Sequence, residues 1–293
     1  MFHPRAFLDS LLAYRRFIGT IKPRLMSCSE MESRAYLALL HRAWSPSPLQ
    51  VPAGRRLMVL AAHPDDESIG AWGLLLAHRG KSEIHLVNLF NGEGGGRLPR
   101  NPWQNTPEYK TALAAARRKE FEAVARRLNA ASLHYLDLRD GQTLPNETDA
   151  MKLGRIAASI RPDVVLIPWY LDNQQDHRVT NVLYAWGCPD LECRVLAFEI
   201  WTLTHPNAVL EVSEWIEEKR ALIRTYETQN NGVDYAAYAG GLATVRAFHC
   251  GTRPDRGGAA EALLALPNRD YCDLVQSLYG PPFSLHPAAR SLL

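Results

Sequence analysis

From residue 51 onward, short apolar runs alternate with longer segments whose apolar positions recur every three or four residues, and this alternation limits the folds open to the chain. The runs Leu57 to Ala62, Ile84 to Phe90, Leu133 to Leu138, Val164 to Pro168 and Val195 to Ile200 are expected strands. Between them, Ser68 to Arg79, Pro107 to Leu128, Asp149 to Ile160, Asp176 to Trp186 and Ser213 to Tyr226 are expected helices. A strand that is apolar throughout has both faces covered, and parallel strands need a long crossover, usually a helix. The expected fold is therefore α/β and Rossmann-like: a mostly parallel sheet with helices on both faces, plus an N-terminal helical extension. In such sheets ligands bind beyond the carboxyl ends of the strands, so polar residues directly after a strand are the first functional candidates.

The segment SPSPLQVPAG carries three prolines and a glycine, which break helices and mark a linker. Three regions are expected: residues 1–50 as helical extension and linker, 51–250 as the α/β domain, and 251–293 as a tail with one short helical pattern. The N-terminal stretch has an apolar stripe (Phe7, Leu8, Leu11, Leu12), but Asp9 and the Arg15-Arg16 pair interrupt any signal-peptide core. It reads as an amphipathic helix, packed on the domain or lying at a membrane surface. No stretch approaches the roughly 20 apolar residues of a transmembrane helix. Five cysteines without a CxxC spacing suggest a reducing, cytoplasmic setting. With 33 basic against 31 acidic side chains, the chain lacks the basic excess of a nucleic-acid binder, and no nucleic-acid partner is expected.

The first expected strand runs into His63-Pro64-Asp65-Asp66-Glu67, an imidazole beside three carboxylates. Adjacent like charges disfavour one another's ionised forms. A helix-capping role for Asp65 or Asp66 would explain either residue alone but not the set. A cation bound through nitrogen and oxygen relieves the repulsion, and a catalytic zinc site takes three protein ligands and keeps one position open. His63 and one carboxylate supply two ligands. The strand Val164 to Pro168 is followed, after a short loop, by Asp176-His177, which would complete a site of two histidines and one carboxylate.

These residues resemble a known family. AHPDDE at residues 62–67, followed by an aspartate-histidine pair after a buried strand, is similar to the PIG-L/LmbE-like zinc-dependent N-deacetylases. The run Arg117-Arg118-Lys119-Glu120 resembles that family's arginine-x-x-glutamate helix, and KRALIRTYETQ at 219–229 resembles its lysine-rich helix, ending here in Thr228-Gln229. The resemblance implies removal of an N-acetyl group from an N-acetylglucosamine-like amino sugar, free or conjugated. It implies one zinc per chain, with other divalent metals also suited to such ligands. By it, His63, Asp66 and His177 correspond to the metal ligands, Asp65 to the general base, and Asp176 to a carboxylate that orients a histidine. Asp176 could serve His177, another histidine or the helix backbone. Arg117 is expected to contact substrate.

Two departures stand out. Where the family commonly has a histidine three positions before the last ligand, this chain has Gln174. A glutamine amide donates a hydrogen bond to an oxyanion but cannot give up a proton. Either Gln174 suffices, or His205 or His249 takes over, or catalysis is weak; the alternatives to the deacetylase reading are a family member that binds sugar without turnover and a hydrolase of a different amide. The second departure is Arg246, where the family more often has glutamate. The glycine-rich loop 91–96 is expected at the rim of the same crevice, and Trp169 and Tyr170 could stack on a sugar or pack in the core.

Overall fold

A computed structural model describes residues 46–293 apart from 100, 102–103, 231, 252–254, 256, 287–288 and 290–292. Residues 42–293 form one compact unit. The expected N-terminal amphipathic helix lies outside the described residues.

Eight strands form one sheet: β1 (Ser47–Pro48), β2 (Arg56–Ala61), β3 (Glu83–Phe90), β4 (Ser132–Leu138), β5 (Val164–Pro168), β6 (Arg194–Phe198), β7 (Ala208–Glu211) and β8 (Ala260–Pro267). Their order is β1-β7-β8-β6-β5-β2-β3-β4. The five strands β6-β5-β2-β3-β4 are parallel, which bears out the expected fold class. β8 runs antiparallel to both its neighbours, β6 and β7. From the central strand β2 the chain proceeds outward through β3 and β4, then returns to β5 on the other side. The reversal opens a crevice between β2 and β5 at their carboxyl ends.

The helices are α1 (Asp66–Gly70), α2 (Trp72–His78), α3 (Pro107–Leu128), α4 (Glu147–Ile160), α5 (Gln175–Gly187), α6 (Ile216–Ile223), α7 (Tyr235–Ala247) and α8 (Asn268–Tyr279). Alternate residues of a strand point to opposite faces. Accordingly Leu57, Val59 and Ala61 of β2 join a core with Trp72, Phe121, Leu222 and Ala239 from α2, α3, α6 and α7. Met58 and Leu60 point the other way and are equally inaccessible, on the face where α4 packs against β2. On that face α4 and α5 approach so closely that a side chain on Gly154 would meet the Gly187 carbonyl at 2.4 Å. The limits of α3 are written locally: Thr106 caps its first turn, Pro107 fits the first position, and Asn129 ends it at φ 53°.

Two expectations are corrected. The helix expected over 68–79 is broken at Ala71, whose φ of −133° and ψ of 11° are not helical. A tail beginning at residue 251 is likewise not found, because β8 is inserted between β6 and β7 and α8 packs on α5. The α/β unit therefore extends past residue 250. Among the described residues no helix is long and apolar enough to cross a membrane, and Cys188, Cys193, Cys250 and Cys272 are free thiols.

Candidate metal centre

β2 is buried from Leu57 onward, and the chain leaves it in a tight turn at His63–Asp65 before α1 begins. Asp65 sits at φ 130°, a conformation uncommon for a residue with a side chain and costing on the order of 1–3 kcal/mol. Its backbone N–H donates to a Glu67 carboxylate oxygen at 3.3 Å, and Glu67 in turn accepts from the Tyr226 and Ser68 hydroxyls. Burial pushes the Glu67 carboxyl up to about 7, against those hydroxyl hydrogen bonds. The turn is thus held by a buried carboxylate and the end of the 216–230 segment.

His63, Asp66 and His177 bring one ligand atom each to within 4.8 Å of one another, and all three are buried. Asp66 accepts the His63 backbone N–H at 2.7 Å through Oδ2, while its Oδ1 lies 3.4 Å from His177 Nε2. His177 is wholly inaccessible, and neither of its ring nitrogens makes a hydrogen bond. Its Nδ1 lies 3.2 Å from Asp172 Oδ1, close but poorly aligned. Burial disfavours a charged ring here, but the Asp66 charge and the nearby Asp172 carboxylate outweigh it, and the His177 pKa is raised to about 10. Burial also opposes the charge on Asp66, yet His177 and His63 hold its carboxyl below the usual range.

The second carboxylate of each pair comes from a different loop. Asp176 Oδ2 lies 3.0 Å from His63 Nε2, and Asp176 also accepts the Gly141 N–H. The aspartate adjacent to His177 therefore orients the other histidine. His177 is served instead by Asp172, a residue that the sequence analysis did not single out. Asp172 is fully buried; its Oδ1 accepts the Gln174 N–H at 3.0 Å, and its Oδ2 accepts those of Trp201 and Thr202 at 2.9 and 3.0 Å. Asp140 was also missed. It lies 4.0 Å from His63 Nε2 and accepts the Gly92 and Gly94 N–H groups, fixing the glycine-rich loop at the crevice.

Asp65 stands beside this cluster. Burial pushes its carboxyl up to about 8, opposed by the Arg117 guanidinium 3.4 Å away. Arg117 is only 2% exposed and donates to the carbonyls of Pro64, Gly92 and Gly95. Through these bonds the guanidinium braces the two loops, while its Nε is buried without a hydrogen-bond partner. Glu120, one turn on, accepts from Thr228 through its backbone N–H and hydroxyl, and Gln229 donates to Gly95, so the landmarks at 117–120 and 228–229 meet at this loop. Gln174 caps α5, its side-chain oxygen accepting the Asp176 N–H at 2.8 Å. Neither His205 nor His249 joins the ligand atoms gathered at the cluster. Arg246 is paired with buried Glu199 and donates to the Thr204 carbonyl. Trp169 and Tyr170, at 3% and 1% exposure, belong to the core.

The arrangement is an α/β domain with a buried pair of histidines and an aspartate at its topological switch point. Residues 58–185 match the model of the PIG-L family, described as GlcNAc-PI de-N-acetylase, so the resemblance read from the sequence holds for this stretch. Among solved structures the chain is similar to N,N′-diacetylchitobiose deacetylase from Pyrococcus horikoshii, with 22% identity, a TM-score of 0.61 and coverage of 74% of this chain and 85% of that one. It is similar to 4-carboxy-2-hydroxymuconate hydratase from Pseudomonas putida KT2440, with 22% identity, a TM-score of 0.57 and coverage of 72% and 95%. The zinc-inhibited form of teicoplanin deacetylase matches at 17% identity and a TM-score of 0.53, with coverage of 72% and 98%. At these identities the likeness is one of fold, and the fold carries a hydratase as well as deacetylases, so the reaction has to be argued from the site.

Proposed function

We propose that this chain is a metal-dependent N-deacetylase acting on an N-acetylglucosamine-like amino sugar, free or conjugated. The observation that carries this reading is His177: an inaccessible imidazole with neither nitrogen hydrogen-bonded, facing Asp66 across 3.4 Å with His63 alongside. Buried polar atoms are rarely left without partners, and a divalent cation held by His63, Asp66 and His177 would satisfy this one. Two nitrogens and one oxygen suit zinc, and a zinc ion there would polarise the amide carbonyl and lower the pKa of water. The match to the PIG-L family supports the same reading.

The chain's own groups then divide the work. Asp65, held beside the cluster with a raised proton affinity, accepts the proton of the attacking water and passes it to the departing amine, so that acetate and the free amine leave. Asp176 and Asp172 keep the rings of His63 and His177 in orientation. With its amide oxygen capping α5, Gln174 has its NH2 group left to donate to the carbonyl oxygen as charge develops there.

The test is release of acetate and primary amine from N-acetylglucosamine and N,N′-diacetylchitobiose by zinc-supplied protein, with Asp65→Asn alongside. The expected result is amine release by the native chain and none by a variant that retains its metal. A variant that loses the metal would overturn the division of roles between Asp65 and Asp66. The second reading, a sugar-binding chain without turnover, rests on Gln174 standing where the family has a histidine.

A further inference from the structure

The crevice has an aromatic side. Trp201 lies just beyond β6, and Tyr235 and Tyr238 form the first turn of α7; the Trp201 ring centroid is 5.4 Å from each tyrosine ring, at tilts of 58° and 36°. Unlike Trp169 and Tyr170, these rings are not enclosed: Trp201 and Tyr235 are half-buried and Tyr238 is 37% exposed. Leu171, Leu203 and Val233, all exposed, lie in the adjoining loops. Accessible rings in mutual contact, with exposed apolar side chains in the loops that bear them, mark a place where something binds.

Two links tie this wall to the candidate metal centre. Asp172 faces His177 through one oxygen and receives the Trp201 and Thr202 N–H groups through the other, so one carboxylate positions both the imidazole and the loop bearing the wall. Tyr235 lies within electrostatic reach of Asp65 and Arg117, and its hydroxyl makes no hydrogen bond among the described residues.

The chemistry of the wall favours one occupant. Polar groups are interleaved with the ring faces: the free Tyr235 hydroxyl, the exposed Asn173 side chain, and the Thr202 hydroxyl, which accepts the Asn173 N–H. A hydrocarbon chain would bury these groups unpaired. A pyranose ring presents C–H faces to aromatic rings and hydroxyls to the polar groups between them. We propose that Trp201, Tyr235 and Tyr238 form a saccharide subsite for the sugar ring next to the acetylated one, so that the preferred substrate is a glycoside rather than a free monosaccharide. The inference rests on the deacetylase reading for which sugar is acetylated, but its test does not depend on turnover.

Binding of N,N′-diacetylchitobiose, N-acetylglucosamine and octyl glucoside is measured by titration calorimetry on the full native chain, Trp201→Leu and Tyr238→Leu, with melting curves to confirm folding. Because Trp201 also packs on the core, Tyr238→Leu at the more exposed rim guards against misfolding. The disaccharide is expected to bind about tenfold more tightly than the monosaccharide, and each variant to narrow that gap severalfold by weakening disaccharide binding. Equal affinity for the two sugars, or a gap that survives both substitutions, overturns the subsite. Tighter binding of octyl glucoside, lost in the variants, overturns it in favour of a hydrocarbon chain. Acetate release is followed in parallel: turnover without the affinity gap defeats the subsite alone. An affinity gap that depends on Trp201, without turnover of any acetylated sugar, supports the subsite and defeats the deacetylase reading.

Discussion

Replacing Asp172 with asparagine changes almost no volume, yet it should cost the chain most of its metal affinity. The carboxylate is an acceptor on every side: Gln174 N–H and His177 Nδ1 face Oδ1, while the Trp201 and Thr202 N–H groups face Oδ2. An asparagine offers one acceptor and one donor. Turning its NH2 toward the two N–H groups of 201 and 202 would leave both buried without partners, at about 1–3 kcal/mol each. The amide oxygen therefore stays there, and the NH2 group points at His177 Nδ1. That nitrogen becomes the acceptor, so the ring proton moves to Nε2, the nitrogen facing Asp66 and needed to hold a cation. Loss of such a supporting carboxylate typically lowers metal affinity about 10- to 100-fold, or roughly 1.4–2.7 kcal/mol. The Gln174 N–H, now opposed by a donor, should lower stability by a further ~1 kcal/mol or more. Zinc competition against a chromophoric chelator reads the first effect, and melting of the metal-free chains reads the second. A folded Asp172→Asn variant with zinc affinity within about twofold of the native chain would refute the reasoning.

Further outcomes follow from other contacts. Gln174→His restores a group that can both donate to an oxyanion and carry a proton: a handicapped site gains about tenfold or more in kcat, whereas a fall in kcat shows that the chain works with the amide. Gly154→Ala would drive a methyl group to 2.4 Å from the Gly187 carbonyl, so α4 and α5 must separate, and chemical denaturation should show a loss of about 1–3 kcal/mol. No loss would mean that the two helices are not seated on each other as described.

Much of the parallel core was legible because its signals are local. β5 and α3 were expected at the limits they have, the first as an uninterrupted apolar run and the second from apolar positions recurring every three or four residues. β8 was not, because AEALLAL, ahead of its final proline, is made of good helix formers; it is a strand only because β6 and β7 bind it on both sides. The Gly240-Gly241 pair argues against a helix in the same way, yet α7 continues through it, with Gly240 where a side chain would strike Arg220. At the candidate centre, the charged cluster at 63–67 and the pair at 176–177 were visible as unusual concentrations of charge after strands. The partners of the histidines were not, since Asp176 reaches His63 across 113 positions and Asp172 is fixed by the N–H groups of residues 201 and 202, which only the fold brings to it. The aromatic wall escaped notice for a similar reason, its rings being separated in sequence and joined only by the fold.

The central claim is that two separated loops assemble one cation site. Metal content per chain, measured by mass spectrometry on protein purified without chelator and then supplied with zinc, tests it directly when His177→Ala is measured beside the native chain. The account predicts about one metal per native chain and its loss in the variant. A native chain that takes up no metal, or a variant that retains it undiminished, would contradict the account.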